Sequence, residues 1–188
     1  MTPCSKAITT SSSYSPNIPN PEVFLRLVDP NSDENETNAV ATQYSPVAQF
    51  KFHAARHHAL QAARDYAQSL TDLNDKDLDA LAKDIKRDVH EDYYLSGLIR
   101  RGVSYHIGYL PPAIRERIED LFREGKISTL FCTSTLLEGV NLPADNLVIT
   151  TNKLGRAGMT AVDFKNLIGR VGRIEFNLYG NVFIIVGD

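Results

Sequence analysis

The chain has 188 residues, of which 43% are hydrophobic and 23% are charged, and its formal net charge at pH 7 is −3. This composition is typical of a globular protein, and the length is sufficient for one α/β domain with its own core. Residues 1–50 carry a net charge of −3, residues 51–100 carry −1 and residues 101–188 carry +1. This excludes the strong basic excess of proteins that hold nucleic acid by charge alone, so we expect any such contact to be local.

Apolar runs, cysteines and the first residues exclude further classes of protein. No apolar run approaches the ~20 residues that a membrane-spanning helix requires. Cys4 and Cys132 are the only cysteines and lie far apart, which argues against a disulfide scaffold. The first residues also lack the basic-then-apolar order of a secretory signal. We therefore expect a cytoplasmic protein with no membrane partner.

The first part of the chain is polar. Residues 1–20 are rich in Ser, Thr, Pro and Asn, and residues 29–43 are acidic and polar. Such segments bury too little apolar surface to order themselves, although Val23–Val28 between them has the pattern of a short strand. We predict a flexible tail or linker over residues 1–45 and a domain over residues 46–188.

The predicted domain alternates strands with helices. The predicted strands are Val47–Phe52, Gly102–Tyr105, Ile127–Thr133, Asn146–Thr151 and Asn181–Val186. The predicted helices are Ala55–Leu70, a helical region between Thr71 and Arg100, a helix that begins at Pro111–Pro112 and ends at Gly125, and Val162–Ile168. In the helix that begins at Pro111–Pro112, the residues predicted to face the core are Ile114, Ile118, Leu121 and Phe122. This alternation predicts a parallel sheet with helices on both faces.

The helical region between Thr71 and Arg100 carries many charges. Thr71 and Asn74 are candidates for its N-cap, and Gly97 is a candidate for its interruption or end. The acidic residues of its 72–92 segment alternate with lysines and an arginine. This mixture favours a solvated helix face over a carboxylate site.

Three histidines lie at the start of the helix that follows the first domain strand. His53 and His57 have the i, i+4 spacing found in zinc sites, and His58 is adjacent. No Cys or carboxylate follows at the spacing of metal ligands, so we expect histidines on a surface helix and predict no metal site.

The strongest chemical signal is the segment Asn166–Arg173, which reads Asn-Leu-Ile-Gly-Arg-Val-Gly-Arg. Arg170 and Arg173 are each preceded by a glycine, which permits close approach of the backbone to a ligand. Arginine grips phosphate oxygens in a bidentate manner, and residues three apart can point to one side. The alternative is a solvated basic turn, which the two glycines make the weaker interpretation.

A second signal follows the strand Ile127–Thr133. The segment Thr133–Ala144 reads Thr-Ser-Thr-Leu-Leu-Glu-Gly-Val-Asn-Leu-Pro-Ala. The carboxyl ends of strands are where α/β proteins bind ligands, and hydroxyl groups can donate to phosphates. The alternative is that these hydroxyls only cap the turn of helix that follows.

Together these segments resemble motifs of a known family. Thr133–Ala144 resembles motif V, and Asn166–Arg173 resembles motif VI, of the superkiller-type branch of superfamily-2 DExH helicases. Gly102–Leu110 resembles the segment that reads Gly-Val-x-x-His-His-Ala-Gly-Leu in this branch. The phrases 105–110 and 164–173 are most similar to helicases of bacterial defence systems of the Hachiman kind. The resemblance covers residues 101–188 and implies the C-terminal RecA-like domain of an ATP-dependent helicase.

The resemblance implies a role for each matched position. Arg170 and Arg173 would be catalytic arginine fingers that reach the γ-phosphate of ATP. The implied cofactor-binding residues are Gly139, Asn141, Asn166 and Gly169, and the implied nucleic-acid-binding residues are Thr133, Thr135 and His106. The implied partners are single-stranded DNA or RNA and the first RecA-like domain of the same parent protein, which would bind most of the ATP and Mg²⁺.

Three departures from the family pattern matter for function. Asn166 stands where the family usually has Gln, Ile107 stands where it has a second His, and the strand Val47–Phe52 is more polar than usual. The printed sequence contains neither a Gly-x-x-x-x-Gly-Lys-Ser/Thr loop nor an Asp-Glu-x-His segment. Because hydrolysis requires a phosphate cradle and a Mg²⁺ ligand, we expect no ATP turnover by these residues alone. The alternative is a RecA-like module that binds nucleic acid or serves as a scaffold without catalysis.

Overall fold

The computed structural model describes residues 22–28, 48–134, 142, 144–154, 156–171 and 179–185. The helices are α1 (Arg56–Gln68), α2 (Lys76–Asp88), α3 (Leu95–Arg100), α4 (Pro112–Arg123) and α5 (Ala161–Ile168). The strands are β1 (Glu22–Val28), β2 (Gln49–Phe52), β3 (Val103–His106), β4 (Thr129–Cys132), β5 (Asn146–Ile149), β6 (Lys153–Leu154), β7 (Ala157–Gly158) and β8 (Tyr179–Ile185).

The described strands form one large sheet and one small hairpin. The six-stranded sheet has the order β1-β8-β5-β2-β4-β3, and every neighbouring pair in it is parallel. Strands β6 and β7 pair with each other in an antiparallel hairpin. The parallel sheet confirms the prediction, and it brings the carboxyl ends of its strands to a single edge.

Helices cover both faces of this sheet. Phe50 of β2 stacks on Phe122 of α4, with ring centroids 5.0 Å apart. Phe131 of β4 contacts Tyr66 of α1, with centroids 5.9 Å apart. Phe50 and Phe131 lie on opposite faces, because Phe131 is in register with the residue after Phe50 and side chains alternate along a strand. The predicted α/β fold with helices on both faces is therefore confirmed.

Strand β2 is polar in sequence, yet it lies in the middle of the sheet. Gln49 and Lys51 are each only 5% exposed. The Lys51 Nζ lies 4.0 Å from the ring centroid of Tyr66 and 5.3 Å from that of Phe131. The two aromatic rings provide a favourable environment for the buried ammonium group. This packing explains how a strand with the pattern of β2 occupies the core.

The helical region between Thr71 and Arg100 differs from the prediction in two details. The N-cap of α2 is Asp75, whose Oδ1 accepts hydrogen bonds from the backbone N–H of Asp77 and Leu78 at 2.8 and 3.1 Å. The predicted caps Thr71 and Asn74 precede it, and Asn74 has a positive φ of 54° in the segment between α1 and α2. Gly97 lies inside α3, so the interruption comes earlier, between Asp88 and Leu95.

The charges of α2 are largely satisfied by neighbouring cations. Arg87 pairs with Asp84 at 2.9 Å, Arg100 pairs with Asp79 at 3.0 Å, and Lys126 pairs with Asp77. All three carboxylates are more than 40% exposed. The predicted solvated helix face is confirmed. No helix among the described residues is long and apolar enough to cross a membrane.

Strand β1 lies within the region for which a tail was predicted. Residues 22–28 pair in register with residues 179–185 of β8, at the edge of the large sheet. The predicted strand Val23–Val28 is therefore confirmed, and this part of the predicted tail belongs to the sheet. The remainder of residues 1–45 lies outside the described residues, so the tail remains a prediction there.

Candidate functional site

The carboxyl edge of the sheet brings four polar or hydroxyl-bearing segments together. His53 follows β2, the turn starting at Ile107 follows β3, Thr133 follows β4, and Thr150 follows β5. Because these strands are parallel neighbours, the segments lie side by side. In open α/β sheets this edge is the usual place for a ligand.

His53 and Thr150 fasten β2 to its two neighbours. The His53 backbone N–H donates to the Cys132 carbonyl at 2.9 Å. The Thr150 hydroxyl donates to the Phe52 carbonyl at 2.7 Å and lies 3.2 Å from His53 Nδ1. These contacts hold the ends of β4, β2 and β5 in fixed positions, which a site built across several strand ends requires.

The imidazole of His53 is neutral at this edge. The residue is 9% exposed, and its Nε2 has no hydrogen-bond partner among the described residues. Burial, together with the smaller effects of the nearby charges of Lys51 and His58, lowers the pKa of His53 to about 4. Sequence reasoning placed this histidine on a surface helix; in the structure it precedes α1 and is buried at the end of β2.

Thr133 and Thr135 were predicted to bind nucleic acid through their hydroxyls, and of the two only Thr133 lies among the described residues. It is half-buried directly after β4, between the ends of β2 and β3. The predicted site residues Thr135, Gly139 and Asn141 lie outside the described residues. Leu142, near the end of the same segment, is fully buried.

The arginine segment begins at the end of α5. Thr160 and Asp163 form a capping box at the start of this helix, and these hydrogen bonds lower the pKa of Asp163. Asn166 is exposed on the helix, and Gly169 closes it. A Cβ atom at Gly169 would lie 3.2 Å from the Lys165 carbonyl oxygen, which is tighter than an ordinary contact.

The two motif-bearing segments meet through their backbones. The Ala144 N–H donates to the Arg170 carbonyl at 3.2 Å, and Ala144 forms a parallel bridge with Val171. Ala144 and Val171 are 4% and 2% exposed, so the junction is also packed. Arg170 is half-buried at this junction, and Arg173 lies outside the described residues. The structure thus joins the end of the 133–144 segment to the start of the arginine pair.

His106, which was also predicted to bind nucleic acid, is more deeply buried than Thr133. It is 1% exposed at the end of β3, and its Nε2 lies 2.9 Å from Glu119 Oε1 on α4. This contact fixes α4 against β3 and leaves little of the imidazole surface available to a ligand. The predicted proximity of His106 to a bound strand remains a prediction.

One contact at this edge was missed by sequence reasoning. Arg56, the first residue of α1, places its Cζ 4.5 Å from the ring centroid of Tyr109, in the turn after β3. The only signal in the sequence was Tyr109 itself, which stands where the resembled family has a glycine. The pairing was not foreseeable, because it depends on the order of the strands.

Metal ligation finds no support in the described part of the chain. There, no group of three or more His, Cys, Asp or Glu side chains lies close enough to hold an ion. His57 and His58 lie next to each other, with ring centroids 4.0 Å apart. The Nδ1 of His53 faces Thr150.

A parallel sheet with helices on both faces and a binding edge at the carboxyl ends of its strands is the architecture of doubly wound α/β domains, and RecA-like domains are one class of these. Comparison with known families agrees: the model of the helicase conserved C-terminal domain matches residues 82–175, half of the chain. The chain belongs to this family of helicase C-terminal domains.

Several curated proteins are similar to the chain over about half its length. Anti-bacteriophage protein B of Escherichia coli is 34% identical over 101 residues, which are 54% of this chain and 14% of that protein. The ATP-dependent DNA helicase Hel308 of Aeropyrum pernix is 36% identical over 95 residues, 48% of this chain and 13% of that protein. Hel308 of Thermoplasma volcanium is 34% identical over 122 residues, 63% of this chain and 18% of that protein. The chain therefore matches less than a fifth of the length of these relatives.

Proposed function

We propose that this chain is the second RecA-like motor domain of a superfamily-2, DExH-type helicase of the superkiller-like branch. Membership of the helicase family supports a role in a motor that acts on nucleic acid. The relative named anti-bacteriophage protein B supports a place among helicases of bacterial defence, such as those of the Hachiman kind. In this proposal ATP and Mg²⁺ are bound mainly by a first RecA-like domain of the same parent protein.

The observation that carries the proposal is the backbone junction between Ala144 and the arginine segment. The 3.2 Å hydrogen bond to the Arg170 carbonyl and the bridge to Val171 tie the two segments into one unit. A ligand that displaces one segment therefore acts directly on the other. Coupling between strand binding and nucleotide hydrolysis needs such a connection.

On the nucleotide side, Arg170 and Arg173 would act as arginine fingers. Fixed guanidinium groups in a closed cleft stabilise the negative charge on the γ-phosphoryl oxygens as that group leaves, which contributes about 10³–10⁵ in rate in related systems. The residues proposed to lie beside the nucleotide are Gly139, Asn141, Asn166 and Gly169.

On the nucleic-acid side, Thr133 and Thr135 would donate their hydroxyls to phosphates of one strand of DNA or RNA. A short hydroxyl at the end of a fixed strand suits one phosphate oxygen, and such a contact has no base preference. His106, buried behind the turn after β3, would lie near this path and position that turn.

The test uses the protein that joins this chain to a nucleotide-binding domain. Arg170→Ala or Arg173→Ala should lower kcat for strand-stimulated ATP hydrolysis by at least ~100-fold, with a modest change in ATP affinity. Lysine at either position should restore little of the ATPase activity, because its ammonium group cannot bind two phosphate oxygens at once as a guanidinium group does. Arg87→Ala is the matched control, since Arg87 is 69% exposed on α2 and makes its ion pairs with neighbouring aspartates.

Thermal unfolding of the same variants separates catalysis from structure. Loss of activity in a variant with an unchanged melting temperature supports arginine fingers. Near-normal turnover in a variant ends the assignment for that arginine. The chain by itself should bind single strands without hydrolysing ATP; binding by the joined protein with no hydrolysis at all would instead favour the non-catalytic binding or scaffold module.

A further inference from the structure

Tyr109 is displayed on a fixed turn at the carboxyl edge. It is 83% exposed, more than any other large hydrophobic side chain among the described residues. The turn that carries it is closed by a hydrogen bond from the Leu110 N–H to the Ile107 carbonyl at 3.3 Å. Ile107 and Leu110 are each 4% exposed, so both ends of the turn are anchored while its tip lies in solvent.

A guanidinium group covers one face of this ring. The Cζ atom of Arg56 lies 4.5 Å from the ring centroid of Tyr109. Arg56 follows β2 and Tyr109 follows β3, and β4 lies between these two strands. The contact therefore crosses the end of β4, where Thr133 lies.

Packing does not explain this pair. Elsewhere Arg64 lies over Tyr94 at 3.6 Å, but the Tyr94 ring also contacts Tyr93 and Tyr105 and is part of the aromatic packing around α3. Among the described residues, the ring contact of Tyr109 is with the exposed Arg56, and cation–π contacts at exposed sites are weak. A large ring held in solvent on a turn that the sheet positions is available to a ligand, and binding residues are common on such loops.

We propose that Arg56 and Tyr109 form a stacking platform for one nucleobase of a bound single strand. The proposal rests on the proposed function, in which Thr133 contacts the phosphate backbone beside the platform. The ring face of Tyr109 away from Arg56 is open, and aromatic rings and guanidinium planes are the groups on which proteins stack unpaired bases. Since every base has such a face, the platform binds without strong sequence preference.

The experiment compares two probes that differ only in their bases. Fluorescence anisotropy measures binding of the chain to a labelled oligothymidine strand and to an abasic strand of the same length, with oligouridine as an RNA probe. The chain should bind the base-bearing strand more tightly. Tyr109→Ala should weaken binding of that strand about tenfold and leave binding of the abasic strand unchanged. Tyr109→Phe should retain the wild-type affinity.

Two variants serve as matched controls. Arg64→Ala removes the same charge from a second arginine–tyrosine pair, two turns further along α1, and should leave the preference for base-bearing strands intact. Arg56→Ala should reduce this preference. Thr133→Ala should weaken binding of both strands, because both carry phosphates. In addition, 2-aminopurine in the strand should be quenched by the wild type and not by Tyr109→Ala.

The outcomes separate this inference from the function on which it rests. The platform is refuted if the chain binds base-bearing and abasic strands with equal affinity. It is also refuted if Tyr109→Ala weakens binding of both strands equally. In either case the proposed binding of single-stranded nucleic acid stands. No binding of any DNA or RNA strand would overturn the platform and the strand-binding role together.

Discussion

At the scale of single residues, the carboxyl edge combines a buried, neutral histidine with an exposed, charged arginine. His53 is held by Thr150 and by the backbone of β4, whereas Arg56, three residues later, lies in solvent over Tyr109. The buried residue therefore fixes the strand ends, and the exposed residue is available to a ligand.

The buried imidazole makes stability depend on pH. The folded pKa of about 4 lies below the unfolded value of 6.5, so the unfolded chain takes up a proton first as the pH falls. The stabilisation is present above about pH 6.5 and is lost as the pH falls towards 4. Urea unfolding should show a loss on the order of 2 kcal/mol from this group between pH 7 and pH 5.

The variant His53→Gln tests this, because it removes the titrating group and keeps a polar side chain. Its unfolding free energy should change less between these pH values than that of the wild type. His90→Gln, which removes an exposed histidine, is the control. An identical pH dependence in His53→Gln and the wild type would contradict the effect of burial.

At the scale of elements, segments with a regular hydrophobic pattern were predictable from the sequence. Very short strands, and contacts that depend on the order of strands in the sheet, were not. All four residues predicted to face inward on α4 are buried: Ile114, Ile118, Leu121 and Phe122. The hairpin of β6 and β7 was missed, since two-residue strands have no periodicity. The site residues at strand ends could be named from sequence, but the Arg56–Tyr109 contact depends on β4 lying between β2 and β3.

The cap of α2 offers a test at this scale. Asp75→Ala removes the acceptor of two backbone N–H groups and should cost about 1 kcal/mol of stability. Asp75→Asn should retain most of this stability, because Asn caps a helix N-terminus nearly as well as Asp. The measurement is the urea midpoint, with Asp92→Ala as a control for loss of one negative charge from the exposed segment after α2. Equal midpoints for Asp75→Ala and the control would show that the cap is unimportant.

At the scale of the whole molecule, the contribution of β1 can be measured by truncation. A chain that begins at Pro46 lacks β1 and leaves β8 as an open edge strand, which favours pairing with another chain. Such a chain should have a lower melting temperature and scatter more light at the same concentration. A chain that begins at Asn20 keeps β1 and should match the full-length chain. Equal behaviour of the Pro46 chain would show that β1 adds nothing to the fold.

The pairing of β1 with β8 also sets an order of events during synthesis. Strands β2, β3 and β4 are neighbours in the sheet and come from residues 49–132, so they can associate while the rest of the chain is still being made. Strand β1 leaves the ribosome before all of them, yet its partner emerges about 150 residues later. Contacts of such long sequence separation form slowly. Among the described strands of the large sheet, β1 is therefore made first, yet it can pair with β8 only after the arginine segment, residues 166–173, has been made.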